Sequence, residues 1–375
     1  MEIPGKLRNQ RGNTDGSVDP FHDFDPCVIQ ILTACESEIS AYPPWLRDSG
    51  LAYLQKLKLA GRSRRTQGIT ILLPFWLNDI FELSRDTCCV LAKGSAYTLL
   101  HFLAQDELMD EPVSEASRTE LATLSSLFFS GLNCQYRRCF ESDSPFWAHL
   151  DRYVEQWGES TLWECHQHWG QPAPYSDHEL LLVARKNAPL KVPAAAMGLL
   201  SHREHLIVGL DTAIDHAMLT FQMLDDLRDW RADLANLHYS YFLALVAHSC
   251  ASQSSVQQLN VESVEEAIFC GEAIEAVLDL ALHHNQLALN TIVGWRADHL
   301  RSFLHLQRRW CNETRNSLQR TRTRLLRASL KDLIPRPHPE PGSPAVTNER
   351  SGKRRRRSVH GNNQGNVRTN RQSRA

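Results

Sequence analysis

The sequence predicts an all-α fold: a single large helical bundle with a central apolar cavity, built from residues 22–335. Three observations carry this reading. Apolar residues recur at three and four positions, as in VIQILTACESEI, LATLSSLFFSGL and AIEAVLDLALHHNQLALNTIV, which is the period of an amphipathic helix. No segment shows the period-2 alternation of a half-buried strand. The breaks between periodic stretches are short, which suits on the order of ten helices packed around one core. At 42% hydrophobic over 375 residues, the chain has enough apolar surface to bury such a core. No repeat at solenoid spacing is present.

Taken in chain order, residues 1–21 (MEIPGKLRNQRGNTDGSVDP and Phe21) contain no apolar stretch. They read as a disordered leader and not as a secretory signal. Helices follow, punctuated at YPPW (Tyr42 to Trp45), DEPVSEAS (Asp110 to Ser117), ESDSPF (Glu141 to Phe146) and WGQPAPYSD (Trp169 to Asp177). ITILLPFWL (Ile69 to Leu77) is among the longest apolar runs. It falls well short of the roughly 20 residues a transmembrane helix needs, so no membrane span is expected. The ten cysteines include no C-x-x-C, so they read as buried free thiols of a cytoplasmic protein.

The net charge of −2 hides an asymmetry. Residues 336–375 hold ten Lys/Arg against two Glu, a net of +8, so the rest of the chain carries −10. This stretch is rich in Arg, Pro, Gly, Asn and Ser, with almost nothing to bury, and reads as a disordered basic tail. A solvated tail is the ordinary reading, beside a nucleic-acid, anionic-membrane or targeting patch. It has no interleaved aromatic residues, which argues against nucleic acid as a partner.

The segment FQMLDDLRDWRADL (Phe221 to Leu234) gathers Asp225, Asp226, Asp229 and Asp233 on one helix. Positions i, i+4 and i+8 drift only about 40° per step, so Asp225, Asp229 and Asp233 form one stripe with Asp226 on its flank. Ile214, Met218 and Phe221 precede them on the same face, while Leu224, Leu227, Trp230 and Leu234 lie opposite. Apolar residues on two sides predict a well-buried helix. Like charges at i, i+4 oppose it, so a cation should compensate. A second segment, LLHFLAQDELMDEP (Leu99 to Pro112), repeats the design. Leu99, Phe102 and Leu103 lead into Asp106 and Asp110, in the last turns before Pro112. Negative charge at a helix C-terminus opposes the macrodipole, and a bound cation would remove that conflict. Hard cations such as Mg²⁺ take carboxylate oxygens and bridge to phosphates. A greasy cavity with carboxylates at its rim suits an oily chain with a diphosphate head.

These residues resemble the class I isoprenoid diphosphate enzymes. DELMD is similar to their first DDxxD motif and DDLRD to the second. The register of Asp225, Asp229 and Asp233 is also that of the (N/D)Dxx(S/T)xxxE triad of terpene cyclases, and LRDWRAD resembles the LRDxxED of squalene and phytoene synthases. VARKNAPLKVPAAAMGLL resembles the KTAAL helix of polyprenyl synthases, with Lys186 at the diphosphate-binding position and Lys191 nearby. The resemblance spans about residues 50–320. It implies three Mg²⁺ ions held by Asp106 and Asp110 on one side and Asp225, Asp229 and Asp233 on the other. It further implies a prenyl diphosphate substrate bound by Lys186, Lys191 and Arg228, with Leu99, Phe102, Leu103, Met218 and Phe221 lining the chain pocket. Arg228 reads equally as an internal ion pair.

Departures from the family shape the functional expectation. Elongating synthases follow the first motif with an Arg pair, whereas here DELMDEPVSEASRTE supplies only Arg118, and Glu107 replaces an Asp. The leading expectation is therefore a terpene synthase that ionises one prenyl diphosphate. Prenyl transfer, by elongation or by head-to-head condensation, comes second. A catalytically silent helical partner comes third, although it would not need both acid clusters intact. Homodimer formation stays open. No GxSxG, HExxH, P-loop or GxGxxG is present, which removes the hydrolase, metalloprotease and nucleotide readings their support.

Overall fold

The computed structural model describes residues 20–63, 68–110, 114–251 and 259–333. Among them lie thirteen α-helices: α1 (Asp25–Ile39), α2 (Pro44–Ser63), α3 (Ile69–Phe81), α4 (Arg85–Asp110), α5 (Glu115–Tyr136), α6 (Phe146–His168), α7 (Asp177–Arg185), α8 (Val192–Leu200), α9 (Ile207–Ala235), α10 (Tyr241–Ala251), α11 (Val261–Cys270), α12 (Ala273–Thr291) and α13 (Asp298–Leu333). Short 3-10 turns, Ala188–Lys191 and Glu204–Leu206, flank α8. One isolated bridge, Trp169 to His238, is the only strand-like pairing among the described residues. The fold is all-α, as expected. The described residues up to Leu326 form one compact unit, and the end of α13 from Arg327 belongs to a second. The basic tail at 336–375 lies outside the described residues.

Helices α5 and α7 start within the breaks expected at Asp110 to Ser117 and Trp169 to Asp177. The Ser114 side chain accepts from the Ser117 amide and starts α5. Ser176 and Glu179 form a reciprocal capping box at α7, satisfying backbone donors that a helix start leaves orphaned. The packed structure begins slightly before the expected boundary at residue 22. Phe21 is buried, and the Trp76 indole donates to the Pro20 carbonyl at 2.6 Å. An isolated apolar residue in a polar leader gave no periodic signal, so the sequence pattern missed this anchor.

Two apolar clusters make the core. The first gathers α1, α3, α4, α5 and α8 with the start of α9. The second gathers the rest of α9 with α7, α10, α11 and α12. Helix α9 belongs to both, with Ile214, Ala217 and Met218 in the first and Leu219, Met223, Leu227 and Trp230 in the second. That is why its apolar residues fall on two sides. Helix α4 is held against α5 by a reciprocal fit. Gly94 of α4 receives Tyr136 of α5, and Gly131 of α5 receives Tyr97 of α4. A Cβ at either glycine would stand 2.8 Å from the facing ring, so the close approach depends on both. By length and composition α4 could cross a membrane, but 56% of that stretch is buried inside the bundle, as a core helix is. The nine described cysteines are free, and Cys134 and Cys270 are exposed, so burial is not general to them.

Candidate active site

Helix α9 leaves the first core cluster where its carboxylates begin. Met218 is buried in that cluster, and Phe221 packs half-buried against it. One turn further, Asp225 and Asp229 both engage Arg228. Its Nη2 pairs with Asp225 and lies 2.9 Å from Asp229 Oδ2, and its Nε donates to Asp229 Oδ1 at 3.1 Å. Here is the cation the stripe demanded: a guanidinium sits between two carboxylates of one face. Arg231 turns away to Glu265 at 2.5 Å.

Asp226 points inward. It is 5% exposed, and Gln222 Nε2 donates to it at 2.9 Å. Burial pushes its carboxyl up to about 7, against the Gln222 hydrogen bond and with the charge of Asp233 adding to the rise.

Asp233 takes part in a polar network that the sequence reading did not foresee. His238 lies with Nδ1 3.5 Å from Asp233 Oδ1 and Nε2 3.4 Å from Glu164 Oε1. Glu164, buried on α6, also pairs with Lys186 at the C-cap of α7. Burial opposes charge on Glu164, but Lys186 and His238 outweigh it and hold the carboxyl down to about 2. Burial likewise opposes the imidazolium, yet hydrogen bonds to Asp233 and Glu164 raise His238 to about 9. Lys186 is thus at the acidic end of α9, joined to Asp233 through Glu164 and His238. Glu164 and Lys186 are 22 residues apart, so no local pattern could have signalled the pair.

Lys191 sits elsewhere. It is 2% exposed and lies 2.6 Å from Asp215 and 3.4 Å from Gln156, with its ammonium over the Tyr153 ring. An ammonium so enclosed fastens α6 to α9 and does not face the carboxylate stripe. Beside it, Tyr153 and Arg152 both donate to Asp211 at 2.8 Å.

On α4, Asp106 is exposed. Asp110 is the last helical residue, and its side chain lies outside the described ones. Glu107 turns to α2, where the Tyr53 hydroxyl and Lys56, the latter at 3.1 Å, receive it. Burial works against its charge, but these partners hold the carboxyl below the usual range. Leu99 and Leu103 pack half-buried against the first cluster. Phe102 meets Trp157 of α6 edge-on, with ring centroids 4.7 Å apart. Helix α6 therefore links both acid segments. Its Trp157 touches Phe102, one turn before Asp106, and its Glu164 reaches the network around Asp233.

The carboxylate oxygens on this partly exposed face are hard donors of the kind a divalent ion takes, and Arg228 already occupies those of Asp225 and Asp229. Among the described residues no group of three or more His, Cys, Asp or Glu stands close enough to hold one ion. Mg²⁺ is ordinarily bound through one or two carboxylates, with substrate phosphates and water completing its shell, so pairs suffice.

The same all-α architecture is found in three solved structures. The chain is similar to geranylgeranyl pyrophosphate synthase of Lactobacillus brevis (TM-score 0.63, 15% identity, covering 77% of this chain and 98% of that one). It is similar as well to heptaprenyl diphosphate synthase of Staphylococcus aureus (TM-score 0.61, 12% identity, 77% and 98% covered). A third likeness is to T. brucei FPPS (TM-score 0.57, 14% identity, 77% and 99% covered). No protein-family model matches the sequence, nor does any curated protein.

Proposed function

We propose that the chain ionises an allylic prenyl diphosphate. The observation that supports this reading is the link through α6 between the two acid segments, with Trp157 on Phe102 and Glu164 joined to Lys186 and to His238 beside Asp233. Arg228 bridges Asp225 and Asp229 where α9 passes from the first core cluster into the second. Asp106 and Asp110 on α4 and Asp225, Asp229 and Asp233 on α9 would hold Mg²⁺, which when bound supplies positive charge to the leaving diphosphate oxygens. Lys186 and Arg228 are the chain's own cations for the same oxygens. Lys191 would serve the site indirectly, by fixing α9 through Asp215. Leu99, Phe102, Leu103, Met218 and Phe221 would enclose the hydrocarbon chain and keep water from the cation.

The C–O bond breaks heterolytically and its electron pair leaves with diphosphate. The allylic cation then ends in one of two ways. It cyclises and loses a proton or captures water, the terpene synthase outcome, which the single Arg118 after the first motif favours. Alternatively the double bond of a second isoprenoid attacks it. That prenyl transfer is favoured by the likeness to geranylgeranyl and heptaprenyl synthases.

The test is diphosphate release from the purified chain with Mg²⁺. Geranyl, farnesyl, geranylgeranyl and geranylfarnesyl diphosphates are offered singly and then with isopentenyl diphosphate, and products are identified by mass spectrometry. Release from one substrate with a hydrocarbon or alcohol product supports cyclisation or elimination. A hydrocarbon of doubled carbon number marks head-to-head condensation. Release only with isopentenyl diphosphate marks elongation. Silence across the panel overturns the proposal and leaves a non-catalytic partner protein.

A further inference from the structure

Helix α13 has a well-defined last anchor. Arg322 pairs with Glu275, and its Nη2 donates to the Ile268 carbonyl at 2.8 Å. Up to that point the helix packs along one seam, with Cys311 and Leu318 buried in the second core cluster. Past it, residues 323–329 are all exposed. Seven residues advance a helix by roughly 700°, which returns within about 20° of the same direction. Leu325 therefore points in the direction of Cys311 and Leu318, but is exposed where they are buried. Leu325 is 46% exposed and Leu326 64%. Arg320 and Arg324 are exposed as well, and their helical positions lie on the opposite side. In sequence, a net charge of +8 follows over residues 336–375.

We propose that this end of α13 docks on an anionic lipid surface. A helix with an apolar face of leucines and an arginine-bearing polar face lies in a bilayer interface, with the leucines among the acyl chains and the arginines at the headgroups. The charge asymmetry selects the membrane's sign. The chain outside residues 336–375 carries −10 and is repelled by anionic headgroups, so the basic end leads. Nucleic acid is the weaker occupant. It gives exposed leucines no apolar partner, and the sequence from Arg320 onward has no Phe, Trp or Tyr to stack on bases. A second copy pairing along the same seam would bring two +8 segments together.

The inference is independent of the catalytic reading, and its test needs no substrate. The full chain is floated with vesicles of mixed phosphatidylglycerol and phosphatidylcholine, and with pure phosphatidylcholine, at about 0.1 M salt, where screening acts beyond about 10 Å. Binding to the anionic vesicles alone, weakened by added salt, is expected. The Leu325→Asp/Leu326→Asp variant should lose about tenfold in partitioning, and Arg320→Glu/Arg324→Glu a similar factor. Both should keep the wild-type helical circular dichroism, since neither pair is buried. Absence of binding to anionic vesicles overturns the proposal. So does a leucine variant that binds like wild type, which would assign the affinity to the basic segment alone. Displacement of the vesicle-bound chain by duplex DNA, equally for wild type and the leucine variant, would make it a nucleic-acid surface. A wild-type mass twice that of the leucine variant in lipid-free solution would make it a self-association seam.

Discussion

Lys191 Nζ lies 2.6 Å from Asp215 Oδ1, with the lysine 2% exposed. An ion pair removed from water contributes little net stability, but breaking one partner strands the other's charge. Lys191→Met should therefore lower unfolding stability by about 3–5 kcal/mol. Replacing Asp215 by Leu in the same chain should restore a large part of it. Urea unfolding of the single and double variants checks this. An additive double variant would remove the pair from its role.

Asp226 gives a pH-dependent prediction. Its carboxyl rises from 3.8 to about 7, so the folded chain binds this proton more tightly than the unfolded chain. The contribution is unfavourable once the proton leaves. Stability then falls as pH climbs from 3.8 to about 7 and the loss is complete above that. Asp226→Asn keeps an acceptor for Gln222 and has no charge to bury. In the absence of divalent ions it should be more stable than wild type near pH 8 and equal to it near pH 4. Thermal melts across that range decide the matter, and parallel curves for the two chains count against it.

His238 has the opposite sign. Its imidazole rises from 6.5 to about 9. Its contribution is full below 6.5 and fades as pH rises through about 9. His238→Gln should cost roughly 1–3 kcal/mol near pH 6 and much less near pH 9.5. A deficit that does not shrink with rising pH would show that packing, not charge, is what the residue supplies.

Asp229→Asn should abolish diphosphate release while leaving circular dichroism unchanged, because Asp229 is partly exposed and bridged only through Arg228. Full activity in this variant would falsify the metal-site reading.

Arg228→Gln removes an exposed bridge. It should change stability by less than about 1 kcal/mol and weaken substrate binding, read as a raised KM. A stability loss several times larger would make the bridge a structural clamp.

The fold class was legible because helical periodicity is a local property. The three-and-four spacing of ATLSSLFFSGL needs no knowledge of its neighbours. The acid stripe was legible for the same reason, since 3.6 residues per turn align Asp225, Asp229 and Asp233 without tertiary help. Its compensating cation, Arg228, was within three residues and could be named. Phe21 escaped because a lone aromatic residue in a polar leader has no period.

By itself, then, the sequence determined the helices, the positions of both acid clusters and the basic character of the C-terminal stretch, all set by spacing along one chain. Tertiary structure decided what the ionisable groups without a local partner face. Lys186 and Lys191 stand five positions apart, yet one joins the network of Glu164, His238 and Asp233 while the other is enclosed by Asp215, Gln156 and Tyr153. Asp225 and Asp226 are neighbours, yet one meets an arginine near solvent and the other is buried on Gln222. Adjacent helical residues point about 100° apart, so which of them meets water, a partner or the core depends on helices distant in sequence.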